Sequence, residues 1–317
     1  MNNDASTFKV QVDVTNPGQF FACCGLLELV HRLWPGSDGG FAEDRWFVLS
    51  TTGPDVTADI GQNLVNSLRG LLLTSLSQQE RQEREFLEAE KRRLKKQGRS
   101  LPEEKEERRR QLGEQARGGS LHLDSHGHAG AFSLLLDWWQ REDDAVPKTW
   151  AGLQEIHKVA RAAQDALSEV EDAISMLDYC CVLRMSAEYW RGAKDGDKSV
   201  EPFYFDARRF SHALDAGFSL DRIGAETVAY PAVELLALIG LQRFRPIVTR
   251  SSREPKVKAI VEYCTWHQPI GVAGAAAAAC GSVPVPGRRR YSFKILARDD
   301  QKRYGAFGWA GAIGELS

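Results

Sequence analysis

Apolar and polar positions along the chain fall into a few clear periods. Residues 8–14 (FKVQVDV) alternate between the two, the period of a half-buried strand. The chain then turns at Thr15-Asn16-Pro17-Gly18-Gln19. There Asn16 has the side chain of a helix N-cap, Pro17 suits the first helical position, and Gln19 stands where a capping-box partner would. The string that follows, FFACCGLLELVHRLW, is apolar on nearly every face and stops at Trp34-Pro35-Gly36, which predicts a buried helix. Residues 45–50 predict a second strand, and residues 59–76 an amphipathic helix. Between residues 77 and 118 apolar residues nearly vanish, and charges of both signs recur at helical spacing. Gly98 ends one helix, Ser100 and Glu103 can box the start of a second, and Gly118-Gly119 closes it. This reads as a protruding, solvent-exposed helical hairpin. A disordered charged insertion is the alternative, because isolated helices of this kind are only marginally stable.

After the apolar stretches at 121–123 and 132–140, a polar loop leads to Pro147-Lys148-Thr149-Trp150. Leu153, Ile156, Ala160, Ala163, Leu167, Val170, Ile174 and Leu177 then alternate steps of three and four, which predicts one helix with a narrow packing seam. A polar loop at 191–201 precedes PFYFDARRF, expected as a strand with a bulky aromatic face. Tyr230-Pro231 opens a second all-apolar helix, AVELLALIGLQ. Strands are expected at 244–249, 257–266 and 291–297, and the small residues of IGVAGAAAAACG permit close packing. The expected architecture is α+β: small antiparallel or mixed sheets, buried helices and a protruding charged hairpin. Its parts are an N-terminal strand–helix unit (1–76), the arm (77–118), a mainly helical middle (119–242) and a basic, strand-rich end (243–317).

Hydrophobic residues make up 43% of the 317, enough for a sizeable core. The net charge of -2 is uninformative, but its distribution is not. From Arg243 onward there are 13 Lys/Arg against 5 Asp/Glu, whereas residues 119–242 hold 11 against 20. Residues 1–8 lack a basic-then-apolar leader, and no apolar run has the roughly 18 residues of a membrane span. A soluble cytoplasmic protein is expected. The adjacent pairs Cys23-Cys24 and Cys180-Cys181, in helix-like sequence, read as reduced thiols.

The sequence has no GxxxxGK[ST], GxGxxG after a strand, HExxH or GxSxG, which removes the common nucleotide, zinc-protease and serine-hydrolase readings. His122, His126 and His128, with Asp124 between them, form the densest ligand-type cluster. They lack matching ligands elsewhere and read as a polar loop. Asp195 and Asp197 around Gly196 read as a turn. No metal or other cofactor is expected. At the strand-to-helix turn, Asn16, Gly18 and Gln19 could bring a phosphate to free backbone N–H groups, or simply cap a buried helix. The basic C-terminal third is the strongest signal. Arg243, Arg245, Arg250, Arg253, Lys256 and Lys258 crowd one region and Arg288, Arg289 and Arg290 another. Phe244, Tyr263, Trp266, Tyr291 and Phe293 are interleaved with them. Cations neutralise phosphates and aromatic faces stack on unpaired bases, so the pattern points to nucleic acid.

The strings NPGQFFACCGLLELVHRLWPG, LLLDWW, KTWAGLQ, PFYFDARRF and AYPAVELLALIGLQRFRP, in that order, resemble a Csb-type CRISPR-associated family, the third Csb protein of the Dpsyc subtype (type I-U or I-G). The resemblance spans residues 8 to about 250, less distinctly the tail, and leaves out the charged arm. It implies a non-catalytic subunit of a Cascade-like effector complex, in a large-subunit or a backbone role. The implied partners are guide RNA, target DNA, the other complex subunits (backbone and guide-processing), and a separate nuclease-helicase recruited by the complex. Within that frame, Arg243, Arg245, Arg250 and Arg253 are the first candidates for phosphate contact, and Lys148 with Trp150 for strand contact or base stacking. Mutating the 243–253 group is expected to weaken DNA engagement without unfolding the protein. Two alternatives stand beside this reading. One is a guide-processing ribonuclease using His31, His122, His126 or His212; the other is a structural adaptor whose basic face meets acidic protein.

Overall fold

In the computed structural model, the described residues are 6–51, 60–127, 130–140, 146–151, 155–185, 198–209, 227–250, 254–298 and 301–314. The opening unit follows from its sequence. Strand β1 (Ser6–Gln11) leads to helix α1 (Pro17–Leu33), with Asn16 as N-cap and Pro17 in the first turn. Strands β2 (Asp38–Ala42) and β3 (Trp46–Thr51) pair as a hairpin and add to β1 in an antiparallel sheet in which β3 lies between β1 and β2. Gln19 does not form the expected capping box: its side-chain oxygen accepts from the Asp13 backbone N–H at 2.6 Å, three residues before the cap.

Helix α2 (Ile60–Gly70) is shorter than its apolar pattern, because residues 72–74 leave it to form β4 (Leu72–Thr74). The charged arm is a helical hairpin, α3 (Gln78–Lys96) and α4 (Glu103–Gly118). Its capping box forms at Ser77 and Glu80, one helix earlier than expected, and α4 starts after Pro102 without a side-chain cap. Gly98, at φ +67°, closes α3: its N–H donates to Lys95 O and that of Arg99 to Leu94 O, the two bonds of a Schellman end. Leu76, Leu87, Leu112 and Ala116 give the arm a small core of its own. Four ion pairs join its helices: Glu83–Arg108 (2.8 Å), Glu88–Arg109 (2.8 Å), Glu90–Lys105 (2.7 Å) and Lys91–Glu106 (2.6 Å). Hydrogen bonds from Arg109 and Lys91 hold the Glu106 carboxyl down at about 2.

Strands β5 (Leu121–Gly127) and β6 (Gly130–Leu136) pair with β4 in a three-stranded sheet. The predicted long seam helix is only α5 (Ile156–Ala166) followed by a 3-10 turn. The reason is non-local. The Arg69 guanidinium takes the carbonyls of Leu167, Ser168 and Val170, and Ile174 O accepts from Gln11 N beside β1. Short strands follow: β7 (Cys181–Val182), β8 (Arg184–Met185), β9 (Lys198–Ser199) and β10 (Val228–Ala229), paired β7 with β10 and β8 with β9. PFYFDARRF is not a strand. Tyr204 sits at φ +64° and Phe203, Tyr204 and Phe205 are all buried, where a strand would alternate its faces, and residues 207–209 form a 3-10 turn.

Helix α6 (Pro231–Arg243) is as apolar as α1 and crosses it in the core. Gly25 and Gly240 meet at that crossing: a Cβ on Gly240 would collide with Phe21 O and stand 2.7 Å from Gly25 N. Strands β11 (Ile247–Arg250) and β12 (Val257–Thr265) follow, then β13 (Ile270–Gly271), α7 (Val272–Ala279), β14 (Arg289–Ala297), β15 (Gly305–Phe307) and β16 (Gly311–Ile313). They build an antiparallel sheet of order β11-β12-β14-β15, with β16 also on β14. Because β13 pairs with β2, the N-terminal unit and the C-terminal part share a sheet, and one buried cluster runs from Val10 to Ala310 across the expected divisions. The fold is α+β. No helix among the described residues is long and apolar enough to cross a membrane.

Candidate nucleic-acid interface

The C-terminal sheet sorts its residues by the period of two. On β12, Val257, Ala259, Val261 and Tyr263 are buried, while Lys258, Ile260 and Glu262 between them are partly exposed. On β14, Tyr291, Phe293, Ile295 and Ala297 face in, and Arg290, Ser292 and Lys294 face out. The interleaving of cations and aromatics is therefore strand alternation. Tyr263 stacks on Phe20 (4.2 Å between centroids) and on Tyr291 (5.5 Å), and its hydroxyl donates to Val14 O. Trp266 donates to Gly39 O at 2.7 Å, and Phe244 lies parallel to it. These five rings belong to the core, and none offers a face to a base.

The candidate cations separate into three kinds. Some are matched by carboxylates: Arg243 with the buried Glu28, Arg289 with Asp44, and Arg290 with Glu262. Some donate to backbone carbonyls: Arg245 to Gln242, Lys258 to Arg303 and Arg288 to Gly281. Lys256 is exposed and its side chain meets no partner among the described residues; Arg250 is exposed at the end of β11. Arg253 lies outside the described residues. The structure does not gather them into one patch. Arg250 is opposite Ala259 and Arg290 opposite Cys264, so the two groups stand five residues apart along β12, about 17 Å at a strand's rise. Lys294, opposite Ile260 and matched by Glu254 at 2.7 Å, lies between them on the outer face, and Lys302, which donates to Glu254 O, adds a cation near the first group. The alternation around Phe293 was the signal that could have found Lys294.

Arg243 differs from its neighbours because it closes a buried polar group. Glu28 is 1% exposed and holds both Arg243 and Arg32, the latter at 2.7 Å. The expectation that the 243–253 group can be removed without unfolding the protein thus meets a stability cost at this residue. Arg243→Ala is expected to lower stability by about 2 kcal/mol, since Glu28 stays buried with only one counter-charge. Glu28→Gln in the same background should recover part of it, as read from urea-unfolding midpoints. Equal loss in both backgrounds would show that the pair contributes nothing.

Lys148 and Trp150 are not a stacking pair for a base. Trp150 is 4% exposed, wedged among Trp138, Trp139, Phe203 and Phe205. Lys148 lies 5.6 Å from the centre of that ring, and burial pulls its pKa down.

The start of α1 is closed as well. Asn16 Oδ1 accepts from the N–H groups of Gly18 and Ala207, both at 3.1 Å, and Nδ2 donates to Asp206 at 3.0 Å. The Phe205 carbonyl presses on Gly18, where a Cβ would stand 2.7 Å from its carbon. Gln19 is buried and donates to Asp178. The Gly18 N–H is taken by the cap and its Cα is covered by the Phe205 carbonyl, which favours the capped-helix reading. Arg208, Asp206 and Asp178, which complete the network, were not singled out by the sequence. A cavity of about 170 Å³ beside it has its cation, Arg208, matched by Asp206 and Asp178. A neighbouring cleft of about 580 Å³ carries Asp13, Glu43 and Asp44 against Arg45, a lining that repels phosphate.

The histidines fall on different elements. His31 is half-buried on α1, and His122 on β5, opposite Thr74 and Leu135, on a strand where a polar loop was expected. His126 is on the same strand opposite Ala131. His128, His212 and the Asp195-Gly196-Asp197 turn lie outside the described residues. No group of three His, Cys, Asp or Glu residues able to hold a metal occurs among those described. No known family, curated protein or solved structure matches this chain.

Proposed function

We propose that this chain is a non-catalytic subunit of a type I CRISPR RNA-guided surveillance complex, in a large-subunit-like role, contacting guide RNA or target DNA through the sugar–phosphate backbone. The observation that carries the backbone mode is the sorting of the C-terminal sheet: cations outward and at both ends, and the rings carried by its strands (Tyr263, Tyr291, Phe293 and Phe307) inward. Such a face recognises charge and spacing; its strands present no ring to an unpaired base, and the exposed Trp309 stands apart in the β15–β16 connection. The strings that carry the family resemblance are mostly core: α1, α6 and the Trp138–Trp150 cluster. They support a shared scaffold, and leave the contact itself to the surface cations.

Of the C-terminal cations singled out by the sequence, Arg245, Lys256 and Arg288 have no carboxylate partner among the described residues. Their joint replacement by Ala should make the slope of log K against log[salt] shallower by about 2 to 3, with affinity falling about tenfold near 0.1 M salt and no change in sequence preference. Fluorescence anisotropy with duplex DNA and an RNA–DNA hybrid measures this. An unchanged slope would sink the assignment of this face. Purification of the tagged chain with its neighbouring gene products should recover a stoichiometric guide RNA; the chain alone would favour an adaptor or a separate enzyme. Cleavage of a repeat RNA by the pure protein, lost on His122→Ala, would establish the ribonuclease alternative instead.

A further inference from the structure

Among the described residues, a dense group of unmatched charge lies at the tip of the arm. Arg92, Arg93, Lys95, Lys96 and Arg99 are all exposed, and none of their side chains meets an acceptor among the described residues. Their immediate neighbours behave differently, since Lys91 and, on the facing helix, Lys105, Arg108 and Arg109 are each matched by a glutamate across the hairpin. The division has a simple geometric cause. At about 100° per residue, positions 92, 93, 95 and 96 share an arc of roughly 160°, and Leu94 lies at its back. Leu94 is buried, so the arc points to solvent. The Schellman end at Gly98 then fixes Arg99 to the same end of the helix.

One or two cations in a last turn would complement the helix dipole. Five exceed that need and repel one another, which is a cost the isolated chain does not recover. The patch is convex, so no small anion can touch all five. It holds no exposed apolar residue; the exposed Phe86 is two turns back, with Lys105 near its ring. Protein interfaces keep an apolar core, whereas a wholly cationic rigid surface matches a polyanion. Residues 92–99 span about 10 Å along the helix, and a duplex offers a phosphate charge every ~1.7 Å of its axis.

We propose that the tip of this helical arm is a second nucleic-acid-binding site, sequence-independent, gripping the phosphate backbone at a distance from the C-terminal sheet. It stands on the charge and geometry of the arm and does not need the sheet to bind. The test uses the full chain and a labelled DNA duplex of arbitrary sequence, titrated at several salt concentrations. Joint replacement of the five residues by Gln keeps the helix, and should make the slope of log K against log[salt] shallower by about 3 to 4 and weaken binding more than tenfold near 0.1 M salt. Exchanging Arg for Lys and Lys for Arg at the same five positions should leave the slope in place, because counterion release counts charges. An unchanged slope in the Gln variant overturns the site. So does unchanged binding with loss of a co-purifying acidic protein, which would assign the tip to a protein partner. The sheet variant Arg245→Ala/Lys256→Ala/Arg288→Ala, run alongside, separates the two surfaces: a loss confined to it overturns the arm and keeps the sheet, and a loss confined to the Gln variant does the reverse.

Discussion

Gly25→Ala is expected to cost about 3 kcal/mol and Gly240→Val to abolish cooperative folding, although each replaces a poor helix former with a better one. Two effects of opposite sign compete at this crossing. Alanine in place of glycine in a helix interior gains ~1 kcal/mol in propensity. Against that, the new Cβ at Gly25 would overlap the Leu236 carbonyl oxygen and stand 2.9 Å from its carbon and 3.0 Å from Gly240 N. These are backbone atoms of a packed helix, so no side chain can swing aside, and overpacking of this kind costs about 1–3 kcal/mol or more. Sterics win because α1 and α6 are buried around nearly their whole circumference, and separating them loosens every layer packed on both. The double variant Gly25→Ala/Gly240→Ala should cost less than the sum of its parts, since one separation relieves both contacts. Gly113→Ala provides the contrast. It lies in α4, where an added methyl would meet open space, and there the propensity gain of about 1 kcal/mol should appear undiminished in the arm. Denaturant unfolding followed by far-UV circular dichroism reads these four and the single Gly240→Ala that the sum requires; an unshifted midpoint for Gly25→Ala would mean that the helices can part freely.

The same crossing shows what the sequence could convey. Uniform apolarity marked α1 and α6 as buried, and Asn16-Pro17 and Tyr230-Pro231 marked where they start. The arm was legible for the opposite reason, helical spacing of charge without apolar content. What failed were inferences in which a distant residue decides. The three-and-four spacing stays buried from Ile156 to Val170 and at Leu177 although the backbone leaves the helix after Ala166 and Ile174 is exposed, and Arg69, about a hundred residues upstream, takes the carbonyls that end it. Nothing local in PFYFDARRF announces that Tyr204 turns to positive φ, with its ring under Arg298 at 3.3 Å and its carbonyl on Phe307 N–H. At the candidate interface the cations cluster along the sequence but are spread toward the two ends of the sheet, and their aromatic neighbours, given a surface role from the sequence, are core. A strand with cations on one parity must place its rings on the other, and in a sheet with one solvated face that other side is the core.

Asn16→Ala should be the most damaging polar substitution, at about 3 kcal/mol, because one side chain serves two segments. Its Oδ1 caps α1 through Gly18 N and anchors the 201–209 segment through Ala207 N. Loss of the cap alone costs about 1 kcal/mol, up to 2, and the second buried N–H left without an acceptor adds about 1–3 kcal/mol. Asp206 also loses a donor, but Arg208 still holds it through Nε at 2.9 Å and Nη2 at 2.7 Å, so the carboxylate is not stranded and the total stays near the lower bound of the sum. Asn16→Asp separates acceptor loss from charge. It restores both acceptors, yet sets a carboxylate where Nδ2 now stands 3.0 Å from Asp206 Oδ1. Like charges at that distance favour a shared proton, so this variant should be as unstable as Asn16→Ala at neutral pH and regain stability as the pH falls and the pair takes up a proton. Thermal unfolding of both variants between neutral and mildly acidic pH makes the comparison. Parallel behaviour of the two, with no recovery in acid, would mean that Asp206 is too well held by Arg208 to sense residue 16, and the network would then be two separate contacts that share only a location.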